Sequence, residues 1–222
     1  MPSSSLPTRW RLTELVVNKA AQAKARLILA HGAGAGLDSA VMQLLAEQLA
    51  QQQIEVWRFN FSYMQRFVAT GKRSLPDKMP ALVQQFSQQV DNCPDGLPLF
   101  IAGKSMGGRV ATLLAASDLL PAVVRGVIAF GYPFHPPKKD SWRTAHFADL
   151  KRPVLVLQGE RDAFGSADEL AGKSWPLIDI KWLQSGDHDF VPLKKSGLSQ
   201  QQLIEQAAYL SRSFINEFIL EN

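Results

Sequence analysis

A serine at a sharp turn between a strand-like run and a helical pattern constrains the fold of this chain more than any other feature. The apolar residues 98–102 lead into the run Gly-Lys-Ser-Met-Gly at 103–107, and an Ala- and Leu-rich helical pattern follows at once. Side chains at Gly103 and Gly107 would collide with a neighbouring strand or helix in so tight a turn, which also holds Ser105 in a strained conformation. The pattern therefore predicts an elbow with Ser105 at its apex.

Strand-like runs alternate with helical patterns along most of the chain. Strands are expected at 26–31, 54–61, 98–102, 123–130, 153–158 and 178–183, with a further edge strand or hairpin arm at 10–17. Helices are expected after a cap at Asp38 or Ser39, at 79–91, from the elbow to about 120, at 166–173, and from Ser199 to about Leu220. This alternation predicts an α/β fold with a mostly parallel central sheet of about six to seven strands and helices on both faces. With 222 residues, a single domain over 1–222 is expected.

Two connections between the predicted elements bear on function. Residues 62–80 are predicted to form a long polar loop, and loops of that length in compact domains are often functional. Residues 132–149 offer the only room for a cap over the sheet, and their length allows a small flap at most. We therefore expect a minimal lid or none.

Three chemically suggestive residues each follow an expected strand, where parallel sheets gather their ligands. Ser105 lies at the elbow, Asp162 lies in the loop after 153–158, and His188 lies in the loop after 178–183. A serine hydroxyl near pH 7 needs an imidazole to take its proton, and the imidazole needs a carboxylate to fix its tautomer. The chain order Ser, Asp, His therefore predicts a catalytic triad of these three residues.

The strand at 26–31 runs into His31-Gly-Ala-Gly-Ala-Gly36, which we call the glycine loop. Attack on an acyl carbon puts negative charge on the carbonyl oxygen, which two preorganised backbone N–H groups stabilise in an oxyanion hole. Met106 is expected to supply one N–H, and Ala33 in the glycine loop is expected to supply the other. Nucleotide binding is not expected, because the Gly-x-Gly-x-Gly spacing lacks the dinucleotide pattern and Asn60, rather than an acid, ends the next strand.

With these motifs the chain resembles the α/β-hydrolase superfamily over nearly its whole length. It is most similar to small, lidless dienelactone-hydrolase-like members that carry His-Gly-Ala-Gly-Ala-Gly in the glycine loop and Gly-Lys/Arg-Ser-Met-Gly-Gly-Arg at the elbow, as at 31–36 and 103–109 here. Residues 159–162 resemble the acid loop of that superfamily, and residues 186–188 resemble its histidine loop. The resemblance implies the α/β-hydrolase fold and the same triad, and it identifies no substrate.

Other residues offer alternative assignments for the triad. Asp168 is a second candidate for the acid, and Asp162 could instead cap a turn. Three further histidines compete with His188. The roles expected for them are orientation of the glycine loop for His31, a loop or flap contact for His135 and a surface position for His146.

Lys104 is the one elbow residue that the expected mechanism does not require. Together with the basic residues of 62–80, it leads to the hypothesis that the site favours a small or anionic acyl substrate. The alternative is that these charges are solvated surface side chains. Lys104, Tyr63 and Phe134 are the candidate substrate-binding residues.

Composition and charge argue against several classes of function. The 24 basic and 20 acidic side chains give a net charge of +4, with no basic run that indicates nucleic-acid binding and no apolar run as long as a membrane span. The first residues show no signal-peptide pattern, and the single cysteine, Cys93, fits a cytoplasmic location. No second histidine or cysteine lies at ligand spacing from His188, so neither a metal nor another cofactor is expected.

These observations predict a cytoplasmic serine hydrolase of the esterase type, which cleaves a small ester, thioester or related acyl substrate through an acyl-enzyme intermediate. The alternative is a non-catalytic binding or scaffold protein that retains the same fold. Such proteins usually lack a triad residue, and none is lacking here. Chemistry of the haloalkane or lyase type is a third interpretation, which the serine at the elbow disfavours.

Overall fold

The computed structural model describes residues 15–219, whose strands form one seven-stranded sheet. The strands are β1 (Val16–Asn18), β2 (Ala25–Ala30), β3 (Ile54–Phe59), β4 (Leu99–Lys104), β5 (Val124–Phe130), β6 (Val154–Gly159) and β7 (Ile178–Leu183). Their order across the sheet is β1-β3-β2-β4-β5-β6-β7. The edge strand β1 runs antiparallel to β3, and every other neighbouring pair is parallel. The predicted sheet is confirmed.

Six α-helices cover the sheet within the described residues. They are α1 (Ala40–Gln51), α2 (Ser62–Thr70), α3 (Met79–Asp91), α4 (Met106–Ala115), α5 (Ala167–Leu170) and α6 (Gln200–Glu217). Helices α1 and α6 pack on one face, and α2, α3 and α4 pack on the other. None of the helices between residues 15 and 219 is both long and apolar enough to cross a membrane.

The central strands are buried on both faces because helices cover both sides of the sheet. In β4, Leu99 and Ile101 belong to the core beneath α3 and α4, whereas Phe100 and Ala102 belong to the core beneath α1 and α6. This division follows from the strand geometry, in which successive side chains point to opposite faces. It also explains why β4 has a continuously apolar sequence rather than an alternating one.

The prediction of a loop over 62–80 is wrong for its first half, which forms helix α2. Tyr63 and Met64 are buried on one side of this helix, which ends at Thr70 and is capped by Gly71, whose left-handed φ of 69° suits glycine. The polar composition of the whole stretch obscured the short apolar face that Tyr63, Met64 and Phe67 provide. Only the residues between α2 and α3 form the connection.

Several predicted boundaries differ from those of the structure. The elbow helix ends at Ala115 rather than near residue 120, and the helix expected at 166–173 is the single turn α5. The edge strand expected at 10–17 corresponds to β1, and its first residues, 10–14, lie outside the described part of the chain. The last helix begins directly after Ser199, as expected, and Ser199 and Gln202 form a reciprocal capping box there.

Residues 132–149 pack against the body of the protein instead of forming a cap. The Tyr132 hydroxyl donates to the Arg143 carbonyl at 2.7 Å, and the Arg143 N–H donates to the Phe134 carbonyl at 2.7 Å. Tyr132, Phe134 and Phe147 bury their rings against one another, and a 3-10 helix covers Ala145–Asp149. In agreement with the prediction, no lid is evident in the described structure.

Candidate active site

The elbow joins β4 to α4 with Ser105 at its apex. Ser105 has a φ of 54° and a ψ of −115°, a strained combination for a residue with a side chain. Its N–H donates to the Phe130 carbonyl at 2.9 Å, which ties the turn to β5. A Cβ on Gly103 would lie 2.1 Å from the Gly107 carbonyl carbon, and a Cβ on Gly107 would lie 2.5 Å from the Ala30 carbonyl oxygen. The predicted collisions at both glycines are therefore confirmed.

The His188 ring lies within hydrogen-bond distance of Ser105 on one side and of Asp162 on the other. The Ser105 Oγ is 2.8 Å from the His188 Nε2, and the His188 Nδ1 is 2.8 Å from the Asp162 Oδ2. Because a carboxylate only accepts hydrogen bonds, Nδ1–H of the neutral imidazole donates to Asp162. The lone pair of Nε2 then faces the serine hydroxyl, which donates to it. This is the tautomer that lets an imidazole take a proton from serine.

The Asp162 carboxylate is fully buried and receives three hydrogen bonds. Its Oδ2 accepts from His188 and from the Gln158 Nε2 at 2.9 Å, and its Oδ1 accepts from the Phe164 N–H at 2.8 Å. Gln158 is itself buried at the end of β6, and its Oε1 accepts from the Tyr132 N–H at 2.7 Å. These donors offset the cost of burying a carboxylate and fix its orientation towards the histidine.

Two residues that belong to no sequence motif, Phe164 and Gly131, enclose the His188 ring. The Phe164 ring lies against it with centroids 4.3 Å apart and an interplanar angle of 36°. Gly131, with a φ of 64°, packs so closely that a Cβ there would lie 3.0 Å from the His188 carbonyl oxygen and 3.4 Å from its Nδ1. Gln158 was detectable as a polar residue that ends an apolar strand, whereas Phe164 and Gly131 carry no local signal.

His31 lies at the base of the glycine loop and is fully buried. Its Nδ1–H donates to the Gly32 carbonyl at 2.7 Å, and its Nε2 accepts from the Phe61 N–H at 3.1 Å. Burial lowers the pKa of His31 to about 4, which keeps the ring neutral and able to make both bonds near pH 7. The orienting contact expected of His31 is present.

Tyr63 supports the same loop from α2. Its hydroxyl lies 3.1 Å from the carbonyl oxygens of both Gly32 and Ala33 and donates towards them. Burial raises the pKa of Tyr63 to about 12, so the phenol retains the proton that it donates. Because the Tyr63 side chain is buried, its contacts in this structure are with the glycine loop rather than with the cavity.

A cavity of about 310 Å³ opens beside Ser105. Its walls include the glycine loop at 32–35, the start of α1, Ser105 and His188. The glycine loop passes close to Ser105, since a Cβ on Gly32 would lie 3.6 Å from the Ser105 Cβ. Met106 is the first residue of α4, where a helical N–H has no carbonyl of its own helix to bond. The structure thus brings both expected oxyanion donors, Met106 and Ala33, to the surroundings of Ser105.

Other candidate residues lie away from Ser105, Asp162 and His188. Phe134 is fully buried among aromatic rings and has no surface towards the cavity. Asp168 is an exposed residue of α5, whereas Asp162 occupies the position beside His188. His135 is buried, with its Nε2 3.5 Å from the Glu169 carboxylate. His146 is half-buried beside Thr112, and burial lowers its pKa to about 4.

Lys104 differs most from its expected surroundings. Its side chain is 7% exposed, and its Nζ lies 2.8 Å from the His188 carbonyl oxygen and 3.0 Å from the Asp189 Oδ1. It borders the cavity, but the ammonium group already has two protein partners. Within residues 15–219, no group of three or more histidine, cysteine or acidic side chains is arranged to hold a metal ion.

A family model described as an alpha/beta hydrolase domain matches residues 23–216. Dienelactone hydrolase from Anabaena variabilis superposes with a TM-score of 0.68 at 18% identity, covering 92% of this chain and 91% of that one. Est1E from Butyrivibrio proteoclasticus gives 0.67 at 13% identity, with 93% and 94% covered. XC6422 from Xanthomonas campestris, described as a serine hydrolase without a lid, gives 0.64 at 21% identity, with 90% and 88% covered. These matches confirm the fold predicted for the chain.

Proposed function

The chain belongs to the α/β-hydrolase family, and from this premise we propose that it is a serine hydrolase that cleaves a small ester, thioester or related acyl substrate. One observation carries the proposal above all others. The Ser105 Oγ, the His188 ring and the Asp162 carboxylate form a continuous hydrogen-bonded chain with both links at 2.8 Å. A nucleophile, a base and a group that orients the base are the parts that acyl transfer to serine needs.

In the proposed reaction, the Ser105 Oγ bonds to the acyl carbon while its proton passes to the His188 Nε2. The bond from the acyl carbon to the leaving group then breaks, and His188 gives the proton to that group. Water attacks the resulting acyl-enzyme, with His188 again taking the proton, and the free acid leaves as Ser105 recovers its hydrogen. Asp162 holds the imidazole in the required tautomer and stabilises its positive charge.

The Met106 and Ala33 N–H groups are proposed to stabilise the oxyanion of both tetrahedral intermediates. Each such donor contributes about 3 kcal/mol to the transition state in other enzymes of this type. The position of Met106 at the start of α4 supports its role, because the partial positive charge of a helix N-terminus favours an anion there. The bonds from His31 and Tyr63 to the Gly32 carbonyl support the role of Ala33, since they fix the loop that presents its N–H.

The cavity supports a small substrate. Its volume of about 310 Å³ suits a short acyl group more than a long chain, and small residues of the glycine loop and of the start of α1 form much of its wall. The likeness to dienelactone hydrolase and to a lidless serine hydrolase is consistent with a substrate that enters directly from solvent. The proposed chemistry needs neither a metal nor an organic cofactor. A cytoplasmic location stays a prediction that rests on the single cysteine.

Labelling with a fluorophosphonate probe tests whether Ser105 is an activated nucleophile. We expect the wild-type protein to be labelled and Ser105→Ala to be unlabelled. Ser74→Ala, which changes an exposed serine between α2 and α3, should be labelled like the wild type. A panel of p-nitrophenyl and thioester substrates with increasing acyl length should show the highest kcat/KM for short chains.

A binding or scaffold protein with this fold is the alternative, and the same experiment distinguishes it. Folded wild-type protein that fails to react with the probe, or that reacts equally after Ser105→Ala, would refute the hydrolase proposal. Circular dichroism of each variant establishes that the compared proteins are folded.

A further inference from the structure

Lys104 precedes the nucleophile in the chain, and the proposed reaction gives it no role. A buried ammonium group carries a desolvation cost of several kcal/mol unless it is paired and hydrogen-bonded. Burial lowers the pKa of Lys104, and the Asp189 carboxylate opposes this shift. The ammonium group therefore depends on its two partners, which are the His188 carbonyl and the Asp189 carboxylate.

Both partners belong to the loop that carries the imidazole. The loop stabilises its own shape, because the Asp187 Oδ1 accepts from the N–H groups of Asp189 and Val191, each at 2.9 Å. These bonds hold the loop together but do not attach it to the strand that carries the serine. The bond from the Lys104 Nζ to the His188 carbonyl makes that attachment, since Lys104 is the last residue of β4.

We propose that Lys104 is a positioning residue, which fastens the His188 loop to the end of β4 and thereby holds the imidazole against Ser105. The inference rests on the proposed hydrolase function and assigns this buried cation a purpose within it. A misplacement of a reacting group by about 1 Å can reduce a rate about 100-fold. Loss of the attachment should therefore reduce the chemical step more than substrate binding.

The competing role for Lys104 is recognition of an anionic acyl group. The structure argues against that role, because Asp189 borders the same cavity with a side chain that is 60% exposed. An ammonium group paired with a carboxylate adds no net positive charge to the cavity, so an anionic substrate would meet the Asp189 carboxylate as well. We therefore expect no preference for anionic over neutral esters.

The experiment compares Lys104→Met with the wild type and with Lys72→Met, which removes an exposed lysine between α2 and α3. Methionine matches the unbranched stem of lysine as far as Cε and removes the ammonium donor. The kcat and KM are measured on p-nitrophenyl acetate and on the anionic mono-p-nitrophenyl succinate. We expect Lys104→Met to lower kcat about 10- to 100-fold on both esters with KM changed less than about threefold, while Lys72→Met behaves like the wild type.

Proton NMR supplies a readout that a purely structural role would not change. The proton shared by the His188 Nδ1 and the Asp162 Oδ2 should give a low-field resonance in the wild type, which broadens or shifts upfield in Lys104→Met. An unchanged kcat on the neutral ester, or a defect confined to KM of the anionic ester, would overturn the positioning role.

If Lys104→Met does not fold, Lys104→Gln carries the test, because its amide can still donate towards the His188 carbonyl. We then expect kcat to fall by about two- to tenfold, equally on both esters, and either no loss or a loss confined to the anionic ester overturns the proposal. Fluorophosphonate labelling of the wild type separates the two proposals. An unreactive wild type refutes the hydrolase function itself, whereas a reactive wild type with a fully active Lys104 variant refutes only the positioning role.

Discussion

Acid should destabilise this protein through His31, the buried histidine beneath the glycine loop. The neutral ring donates one hydrogen bond and accepts another, and the bond from the Phe61 N–H is lost if Nε2 becomes protonated. Burial lowers the pKa of His31 from its ordinary value of 6.5 to about 4. The unfolded chain therefore binds a proton at a pH where the folded protein does not, and stability falls as the pH decreases.

The size of the effect follows from the two pKa values. The stabilising effect of the neutral ring is fully present above a pH of about 6.5, decreases between about 6.5 and 4, and does not decrease further below that range. Between pH 7.5 and pH 5.0, linkage through this one group should reduce the free energy of unfolding by about 2 kcal/mol. The pKa of His146 is also lowered to about 4, so its titration adds to the loss of stability over the same pH range.

Urea denaturation followed by tryptophan fluorescence measures this quantity at both pH values. His31→Gln removes the titrating group while leaving His146 and every carboxyl group in place. We expect the difference in unfolding free energy between pH 7.5 and 5.0 to be about 2 kcal/mol smaller in His31→Gln than in the wild type. Equal pH dependence in the two proteins, to within about 0.5 kcal/mol, would refute the argument that His31 is neutral because it is buried.

Two further predictions concern the elbow and the glycine loop. Gly107→Ala should destabilise the protein by about 3 kcal/mol or prevent folding, because its Cβ would lie 2.5 Å from the Ala30 carbonyl oxygen. The control is Gly34→Ala, whose Cβ would have no atom within 4 Å and which should change stability by less than about 0.5 kcal/mol. Thermal melts measure both changes. Tyr63→Phe should lower kcat about 3- to 10-fold on small esters, because the glycine loop that presents Ala33 loses the hydrogen bonds of the Tyr63 hydroxyl. The free energy of unfolding should fall by about 1 kcal/mol. An unchanged kcat would contradict the supporting role of Tyr63.

The fold was predictable in segments where either a continuous apolar run or a helical pattern of apolar residues was clear. Strands β2, β4, β5 and β6 are largely apolar runs that end in or lead into glycine or polar residues, and the alternation of such runs with helical patterns predicted the parallel sheet. Helix α2 was missed because its apolar face consists of few residues within a polar stretch. Its stability comes from burying Tyr63 against the sheet and the glycine loop, a tertiary contact that no local pattern encodes.

The proposed triad could be selected from the sequence because chain order and position after strands restrict the choice of residues. The surroundings of the triad could not be selected, since they depend on contacts between distant segments. The Phe164 ring packs at a tilt against His188, and Lys104 bonds to the carbonyl of a residue 84 positions away. A lysine beside a nucleophile suggested a charge directed at substrate, and only the folded arrangement shows that the ammonium group bonds to the histidine loop.

The loops of the candidate site meet through their backbones. The proposed triad side chains can therefore be changed without moving the loops that carry them. A Cβ on Gly159, at the end of β6, would lie 2.3 Å from the Asp187 carbonyl oxygen, so the acid and histidine loops touch without intervening side chains. The elbow is fixed in the same way by Gly103 and Gly107 against α4 and β2. Because these approaches do not involve the Ser105 hydroxyl, its removal in Ser105→Ala should leave the positions of the loops unchanged. Loss of labelling in that variant would therefore report on the nucleophile and not on a rearranged site.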